Sequence, residues 1–194
     1  FEQIGVTRAA AMEPLSIYAL GFAYQPPLRG NRVGIVTNAG GPGILATDAV
    51  EHAKLEIPRL SHDTVKALTD YLPGAASAAN PVDVLGDAMA DRYENAIKLV
   101  LDDDHVDSLI VILTPQAMTE IEKTAHAVGR MSEQSDKPIL ACFMGEARVD
   151  AGIRILREYG VPNYPYPERV AATLAAMDSY RVERDRPIVE PEPC

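Results

Sequence analysis

The sequence lacks the features that mark membrane-spanning and disulfide-stabilised proteins. It contains no run of 18 or more apolar residues among its 194 residues, so it predicts no membrane span. It has two cysteines: Cys142 lies in an apolar run, and Cys194 is the last residue. Neither belongs to a cluster with metal-ligand spacing, and the pair does not suggest a disulfide framework. Because such frameworks belong to oxidising compartments, we expect a reducing, cytoplasmic setting.

Positive charge is also scarce. The chain carries 18 Lys and Arg against 28 Asp and Glu, a net charge of −10, and the basic residues are scattered. Nucleic acids and anionic membranes are bound through concentrated positive charge. We therefore expect neither a nucleic-acid partner nor a membrane partner.

Recognisable catalytic motifs are missing as well. The chain has no Ser-His-Asp order, no HExxH and no Cys/His metal cluster, so we expect no metal site. None of the four histidines has a Ser or Cys partner at a recognisable spacing, and we interpret each as structural or solvated. They are His52, His62, His105 and His126.

The chain does contain apolar runs that alternate with helical patterns. Strands are predicted at residues 32–37, 55–60, 82–86, 108–114 and 138–144. Helices are predicted at residues 43–54, 61–72, 91–102, 115–131, 147–159 and 168–181. This alternation predicts an α/β fold in three layers, with a mainly parallel sheet and helices on both faces.

The ends of the chain differ from this pattern. Residues 1–30 read as a lead-in, with a helix over 13–25 whose apolar stripe includes Leu15, Tyr18 and Phe22, followed by the linker "QPPLRGN". The domain proper is predicted at 31–182, and 183–194 is a proline-rich tail. Because the chain starts at Phe1 without a leader segment, we expect a piece of a longer or processed protein.

Ligands of such sheets bind beyond the carboxyl ends of the strands, so the loops there are the candidate site. The first loop, "NAGGPG", contributes Asn38, Gly40, Gly41 and Gly43. Its glycines permit positive φ, and its amides would converge on an anion at the start of a helix. Neither GxGxxG nor a P-loop is present. The alternative is a tight turn that binds nothing.

The loop "TPQAMTE" is a second candidate anion site. A helix that starts at Pro115 would place free amides, a hydroxyl and an amide side chain at the same crevice. The alternative is that Thr114 simply caps this helix. The candidate phosphate-binding residues of this loop are Thr114, Pro115, Gln116, Ala117, Met118 and Thr119.

Two further loops complete the predicted crevice. After the third strand come Gly86 and Asp87, and after the fifth come Gly145 and Glu146. Asp83 and Asp87 would repel an anion, so loop or helix capping is the favoured interpretation of both. The predicted crevice has anion-binding loops and no evident catalytic group, which suggests a partial active site that another domain completes.

Four stretches in order resemble one family. "NRVGIVTNAGGPGILATDAVE", "NPVDVLGDA", "ILTPQAMT" and "CFMGEARVDAGIRILREYGVPNYPYPERVAATLAAM" are similar to the ADP-forming acyl-CoA synthetases, including ADP-forming acetate–CoA ligase and its relative succinyl-CoA synthetase. The resemblance runs from residue 1 to about 182. It implies the second flavodoxin-like subdomain of these enzymes.

The resemblance implies an activity and partners for the whole enzyme. Acyl-CoA, ADP and phosphate are converted to acid, CoA and ATP through a phosphohistidine, with Mg as a further cofactor. The CoA-binding and histidine-bearing subdomains would lie upstream. The phosphorylated histidine would be in a "SHTG"-like stretch of the second of these. An ATP-grasp domain would lie downstream or on another chain, in an oligomer. This chain alone would bind no cofactor and be inactive.

The resemblance also bears on individual residues. It implies that the helix at "TPQAMT" faces the phosphohistidine. Glu146 departs from the pattern, which has a second glycine there.

Two other functions fit parts of the sequence. Related protein lysine acetyltransferases use the same subdomains for regulation, and such a portion would sense a ligand without turnover. A stand-alone flavodoxin-like or receiver module is the third alternative. A receiver would have acidic residues after its first strand and lysine after its fifth, where this chain has Asn38-Ala39 and Gly145-Glu146.

Overall fold

The computed structural model describes residue 9 and residues 11–186. Seven α-helices and four strands follow one another within this part of the chain. The strands are β1 (Val33–Thr37), β2 (Val82–Asp83), β3 (Ser108–Leu113) and β4 (Ile139–Phe143). The helices are α1 (Met12–Tyr24), α2 (Gly40–His52), α3 (His62–Tyr71), α4 (Ala90–Leu101), α5 (Ile121–Gln134), α6 (Asp150–Glu158) and α7 (Pro167–Arg184).

The four strands form one parallel sheet in the order β2-β1-β3-β4. Helices cover both faces: α3, α4, α5 and α6 contribute to one core cluster, and α2 and α7 contribute to the other. The predicted three-layer, flavodoxin-like α/β architecture is thereby confirmed. The chain passes from β1 outward to β2 and then to β3 on the other side of β1, which makes the β1–β3 boundary the switch point of the sheet.

The strands are buried on both faces, and their side chains alternate between the two cores. On β3, Leu109, Val111 and Leu113 belong to one cluster, whereas Ile110 and Ile112 belong to the other. This alternation follows from the two-residue period of a strand. It explains why a continuous apolar run, and not an alternation of apolar and polar residues, predicted this strand.

The predicted strand at 55–60 is wrong. Of these residues only Glu56 forms a bridge, with Arg32, the residue directly before β1. Further along the edge of β1, the carboxamide of Asn80 takes the place of a strand: its Oδ1 accepts the Ile35 amide at 2.9 Å, and its Nδ2 donates to Val33 O at 2.9 Å. Pro58 supplies a carbonyl to the same Nδ2 and has no amide for a ladder.

The predicted helix at 115–131 starts six residues late, at Ile121. Residues 115–120 form a loop instead. The amide that would open the helix is already used, because Gln116 N donates to Thr119 Oγ1 at 2.9 Å. The preceding hydroxyl, that of Thr114, donates to Asn38 and accepts from the Gln116 side chain, so it caps no backbone amide of the turn that follows it.

Other predicted boundaries shift by smaller amounts. The strand predicted at 82–86 covers only two residues, because Leu85 adopts a positive φ of 72°. The helix predicted at 43–54 starts at Gly40, and the one predicted at 147–159 is a 3-10 turn (Glu146–Arg148) followed by α6. Ser61 caps α3 as predicted, by accepting the Thr64 amide.

The lead-in helix α1 forms, but its predicted buried stripe is wrong. Leu15 is 51% exposed and Phe22 is also exposed, whereas Gly21 is buried against Thr173 and Met177 of α7. The close approach of the two helices at Gly21 buries a neighbouring face of α1, about 100° from Phe22, whose ring packs edge-on against Tyr180 of α7. The domain boundary proposed at residue 30 stays a prediction. Residues 187–194, including Cys194, lie outside the described part of the chain.

The described residues contain neither a membrane-spanning helix nor a cluster of metal ligands. No helix there is both long enough and apolar enough to cross a membrane. No group of three or more His, Cys, Asp or Glu side chains in that part of the chain is placed to hold a metal ion.

Candidate functional site

The candidate site lies at the carboxyl edge of the sheet, at the switch point between β1 and β3. The loop after β1 leads to α2 on one face, and the loop after β3 leads to α5 on the other. Parallel sheets bind ligands in the crevice that opens where two such loops diverge. The four predicted loops do approach one another here, through the contacts described below.

The loop after β1 is a helix start without a side-chain cap. Ala39 is extended at φ −147° and caps α2 without a side-chain hydrogen bond. Its amide donates to Thr37 Oγ1 at 3.1 Å. The next two amides, of Gly40 and Gly41, have no carbonyl one turn earlier, and Pro42 has no N–H. Within the described chain, these two amides are therefore available to an external anion.

The glycines of this loop do not use the conformational freedom that the sequence suggested. None of Gly40, Gly41 and Gly43 has positive φ, since all three lie in the first turn of α2. A Cβ at Gly41 would meet nothing within 4 Å, and one at Gly40 would lie 3.6 Å from Asp83 Oδ2. Their smallness keeps the start of the helix open rather than permitting an unusual turn.

The loop after β3 has fewer free donors than predicted. The Thr114 amide and hydroxyl both donate to Asn38 Oδ1, at 2.9 and 3.1 Å. Pro115 has no N–H, and Gln116 N donates to Thr119 Oγ1. The side chain of Gln116 is exposed, and its Nε2 donates to Thr114 Oγ1 at 3.4 Å. The helix start expected at Pro115 is therefore absent from this crevice.

Asn38 does not point a free group at an anion. It is 2% exposed, and its Nδ2 donates to Thr114 O at 2.8 Å while its Oδ1 accepts two hydrogen bonds from the same residue. The side chain thus ties the carboxyl ends of β1 and β3 together. The sequence suggested Asn38 as a phosphate ligand, and the structure instead places it beneath the crevice.

The loop after β2 brings negative charge to the site. Asp83 Oδ1 accepts the Leu85 amide at 2.9 Å, which holds the turn at its positive φ. Asp87 pairs with Arg92 at 2.6 Å, and this hydrogen bond holds the pKa of Asp87 below its ordinary value. Asp83 therefore has the loop-capping role that the sequence favoured, whereas Asp87 forms an ion pair and α4 starts without a side-chain cap. Gly86 touches the site, since a Cβ there would lie 3.5 Å from Gln116 Cγ.

The loop after β4 packs against the loop after β3. Gly145 has φ 144°, and a Cβ there would lie 2.6 Å from Pro115 Cγ. Glu146, where the resemblance implies a second glycine, is exposed and has a left-handed φ of 46°. The backbone conformation thus retains the shape that glycine would favour.

The four histidines have local contacts in the described structure. His52 lies at the end of α2 with its ring on Asp48 O, and His105 contacts Arg59 O. His126 packs edge-on against Tyr159. His62 is exposed at the first residue of α3. Three of them lie on helices and His105 lies in the turn before β3, and their structural or solvated roles stay a prediction.

The amino edge of the sheet holds a satisfied ion pair. Arg32 donates to both oxygens of Asp107, at 2.8 Å each. Burial raises the pKa of Asp107, but the hydrogen bonds and the charge of Arg32 outweigh it, and the pKa lies below its ordinary value. Cys142 of β4 is buried, which raises the pKa of its thiol to about 12 and leaves it unreactive.

One structural residue near the site was missed by the sequence reasoning. Asn80 was interpreted as part of a loop, "GAASAANP", yet its carboxamide completes the edge of β1. Its signal in the sequence is an asparagine directly before a proline, which is compatible with many turns. Only the structure shows that β1 lacks a partner strand at that point.

Comparisons with known proteins agree on one family. The ligase-CoA domain model matches residues 33–188. Acetate–CoA ligase [ADP-forming] I of Archaeoglobus fulgidus is 35% identical over 180 residues, covering 93% of this chain and 25% of that protein. Acetate–CoA ligase [ADP-forming] II subunit alpha of Pyrococcus furiosus is 36% identical over 181 residues, covering 91% and 39%.

Solved structures give the same result. A crystal structure of PH0766 from Pyrococcus horikoshii OT3 superposes with a TM-score of 0.90 at 34% identity, covering 96% of this chain and 43% of that one. A dinucleotide-forming acetyl-coenzyme A synthetase 1 of Ca. Korarchaeum cryptofilum, in complex with phosphate and ADP, gives 0.86 at 26% identity, covering 95% and 40%. This chain thus spans about a quarter to two fifths of these relatives.

Proposed function

Because this chain belongs to the ligase-CoA domain family, we propose that it is one domain of an ADP-forming acyl-CoA ligase and that it stabilises the phosphoryl group in transfer. The reaction would convert acyl-CoA, ADP and phosphate to free acid, CoA and ATP. Relatives named as ADP-forming acetate–CoA ligases support this, and each is much longer than the chain. The other steps would belong to other parts of the enzyme.

The start of α2 is the observation that carries the proposal. A phosphoryl group of nearly two negative charges is attracted by a helix N-terminus, which is worth about 0.3–2 kcal/mol. The two free amides of Gly40 and Gly41 add hydrogen bonds that are already in place. The exposed Gln116 carboxamide lies on the opposite side of the switch point. Together they would hold the group without reacting with it.

The phosphoryl carrier would come from outside this chain. His52, His62 and His126 lie on helices, and His105 lies in the turn before β3 with its ring on Arg59 O. In the proposed arrangement, a phosphohistidine on another domain meets the start of α2. CoA, ADP and Mg would bind on further domains, and this domain's contribution is electrostatic positioning.

The β1 loop takes over the role that the sequence assigned to the β3 loop. Thr114 was the expected helix start, but its amide and hydroxyl are both bonded to Asn38. The amides of Gly40 and Gly41 lie at the start of a helix, whereas those of Ala117 and Met118 lie in an irregular loop. Variants of these two glycines are therefore the sharpest test of the proposal.

The test removes one amide without disturbing the helix. Gly40 is the first residue of α2, where proline is well tolerated, and Ala39 already has the extended φ and ψ that proline requires of its predecessor. Gly40→Pro should weaken binding of inorganic phosphate about tenfold, since a hydrogen bond to a charged group is worth about 1.5 kcal/mol. The measurement is a phosphate titration of the 194-residue chain, followed by amide NMR shifts.

Gly41→Ala is the matched control. It keeps the amide, its Cβ meets nothing within 4 Å, and it should raise the free energy of unfolding by about 0.5–1 kcal/mol. Phosphate affinity should stay within twofold of the original. Equal phosphate affinity in Gly40→Pro and the original chain would remove the α2 start from the proposed function.

A further inference from the structure

We propose that Asn38 is a positioning residue that holds the α2 start and the Gln116 carboxamide in one register, so that both act on the same phosphoryl group. This rests on the proposed function. Asn38 itself is nearly inaccessible and makes its side-chain hydrogen bonds to Thr114. It would therefore act through the two loops rather than by touching the phosphoryl group.

The chemistry of the contacts fixes the orientation of the Asn38 side chain. The Thr114 amide can only donate, so the atom facing it at 2.9 Å must be the carboxamide oxygen. The Thr114 carbonyl can only accept, so the atom facing it at 2.8 Å must be the nitrogen. A rotated side chain would place donor against donor and acceptor against acceptor. We call the side-chain hydrogen bonds between Asn38 and Thr114 the clamp. The clamp has only one arrangement in which all its donors face acceptors.

The clamp extends to Gln116 through the Thr114 hydroxyl. This hydroxyl donates its one hydrogen to Asn38 Oδ1 at 3.1 Å, which leaves its lone pairs to accept from Gln116 Nε2 at 3.4 Å. One Nε2 hydrogen is used in this way and the other stays available. The Gln116 side chain lies beside Gly86, since a Cβ added at Gly86 would lie 3.5 Å from Gln116 Cγ.

The other end of Asn38 is joined to the helix start by the backbone. Ala39, the next residue, is the N-cap of α2, and Gly40 follows it. Moving Asn38 would therefore tilt the first turn of α2 relative to the loop after β3. Because small displacements of positioned groups have large effects on a bound group, a clamp between the loops is functionally important.

Asn80 offers a matched comparison. It too joins separate segments by one carboxamide, with bonds of 2.9 Å to Ile35 N and Val33 O. Its partners lie in the middle of β1 and not in the loops of the crevice. Removing either carboxamide leaves a backbone N–H and a backbone C=O without hydrogen-bond partners. Asn38→Ala and Asn80→Ala should therefore lower the melting temperature by comparable amounts.

The experiment titrates the 194-residue chain with inorganic phosphate and follows three NMR signals: the amides of Gly40 and Gly41 and the side-chain amide of Gln116. In the original chain all three should follow one isotherm. In Asn38→Ala the apparent Kd should rise about fivefold, and the Gln116 signal should separate from the two glycine signals. Asn80→Ala should keep the common isotherm despite its lower stability.

Thr114→Val provides a second variant that keeps the backbone bonds of the clamp and removes only the hydroxyl. It should abolish the phosphate response of Gln116 and leave that of Gly40 and Gly41. A common isotherm in both Asn38→Ala and Thr114→Val would overturn the positioning role. If no signal of the original chain responds to phosphate, the proposed anion site itself fails, which is a different outcome.

Discussion

The two loops that follow β1 and β3 had the same sequence prediction and have different structures. Both read as helix starts, "NAGGPG" and "TPQAMTE", at the carboxyl ends of buried strands. Only the first is one: α2 starts at Gly40, whereas α5 starts at Ile121 after six loop residues. The difference teaches that a helix start depends on what else can bind its first polar groups.

At Thr114 the competing partner is far away in the sequence. Asn38, 76 residues earlier, accepts from the amide and the hydroxyl of Thr114, and this hydroxyl accepts from the Gln116 side chain instead of from a backbone amide of the next turn, so Thr114 does not act as an N-cap. At Ala39 the competing partner is local, since Thr37 accepts its amide and the helix follows at once. Local patterns therefore predicted the β1 loop to within a few residues and failed at the β3 loop.

The same division applies to the rest of the chain. Alternating apolar runs and helical patterns predicted the fold class, three of the four strands closely, and the cap at Ser61, because these depend on neighbouring residues. The false strand at 55–60 depends on Asn80, and the rotated buried face of α1 depends on α7. Such long-range contacts have no periodic signal in one sequence.

The largest expected effect concerns the packing of the β3 loop against the β4 loop. Gly145→Ala would put a methyl group 2.6 Å from Pro115 Cγ at a φ of 144°. We expect the free energy of unfolding to fall by about 3 kcal/mol, since backbone strain and overpacking each cost about 1–3 kcal/mol. Urea denaturation followed by circular dichroism measures this.

Gly74→Ala is the control for Gly145→Ala, because a Cβ at Gly74 meets nothing within 4 Å. Its effect on the free energy of unfolding should stay within about 0.5 kcal/mol. If the two variants are equally stable, the β3 loop is not braced by Gly145, and its irregular structure needs another cause.

A smaller effect, of opposite sign, is expected one residue later. Glu146 has a left-handed φ of 46°, which costs an L-residue about 1–2 kcal/mol and costs glycine almost nothing. After the larger entropy loss of glycine on folding, Glu146→Gly should raise the free energy of unfolding by about 0.5 kcal/mol. Thermal and urea unfolding of the two proteins give this difference.

Glu146→Ala separates backbone strain from the loss of the side chain. It removes the carboxylate but keeps a Cβ at the strained φ, so it should give no gain in stability. A similar gain from alanine and glycine would mean that the charge of Glu146, not its backbone, limits the stability of this loop.

The smallest effect tests the charge beside the β1 loop. Asp83 Oδ2 lies near Gly40, where it opposes an incoming anion. Asp83→Asn keeps the oxygen that accepts the Leu85 amide and removes the charge. Phosphate affinity should rise about threefold at low ionic strength, because two like charges near a protein surface repel by about 1 kcal/mol or less. The phosphate titration at two salt concentrations measures it.

Asp87→Asn changes the net charge by the same amount and is the control for Asp83→Asn. Its carboxylate is already paired with Arg92 at 2.6 Å and is exposed. We expect less than half of the effect of Asp83→Asn on phosphate affinity, and both effects should fade at high salt. Equal gains would show that phosphate responds only to the net charge of the chain. A gain confined to Asp83→Asn would mean that phosphate lies at the start of α2, on the β1 side of the crevice, where the free amides are.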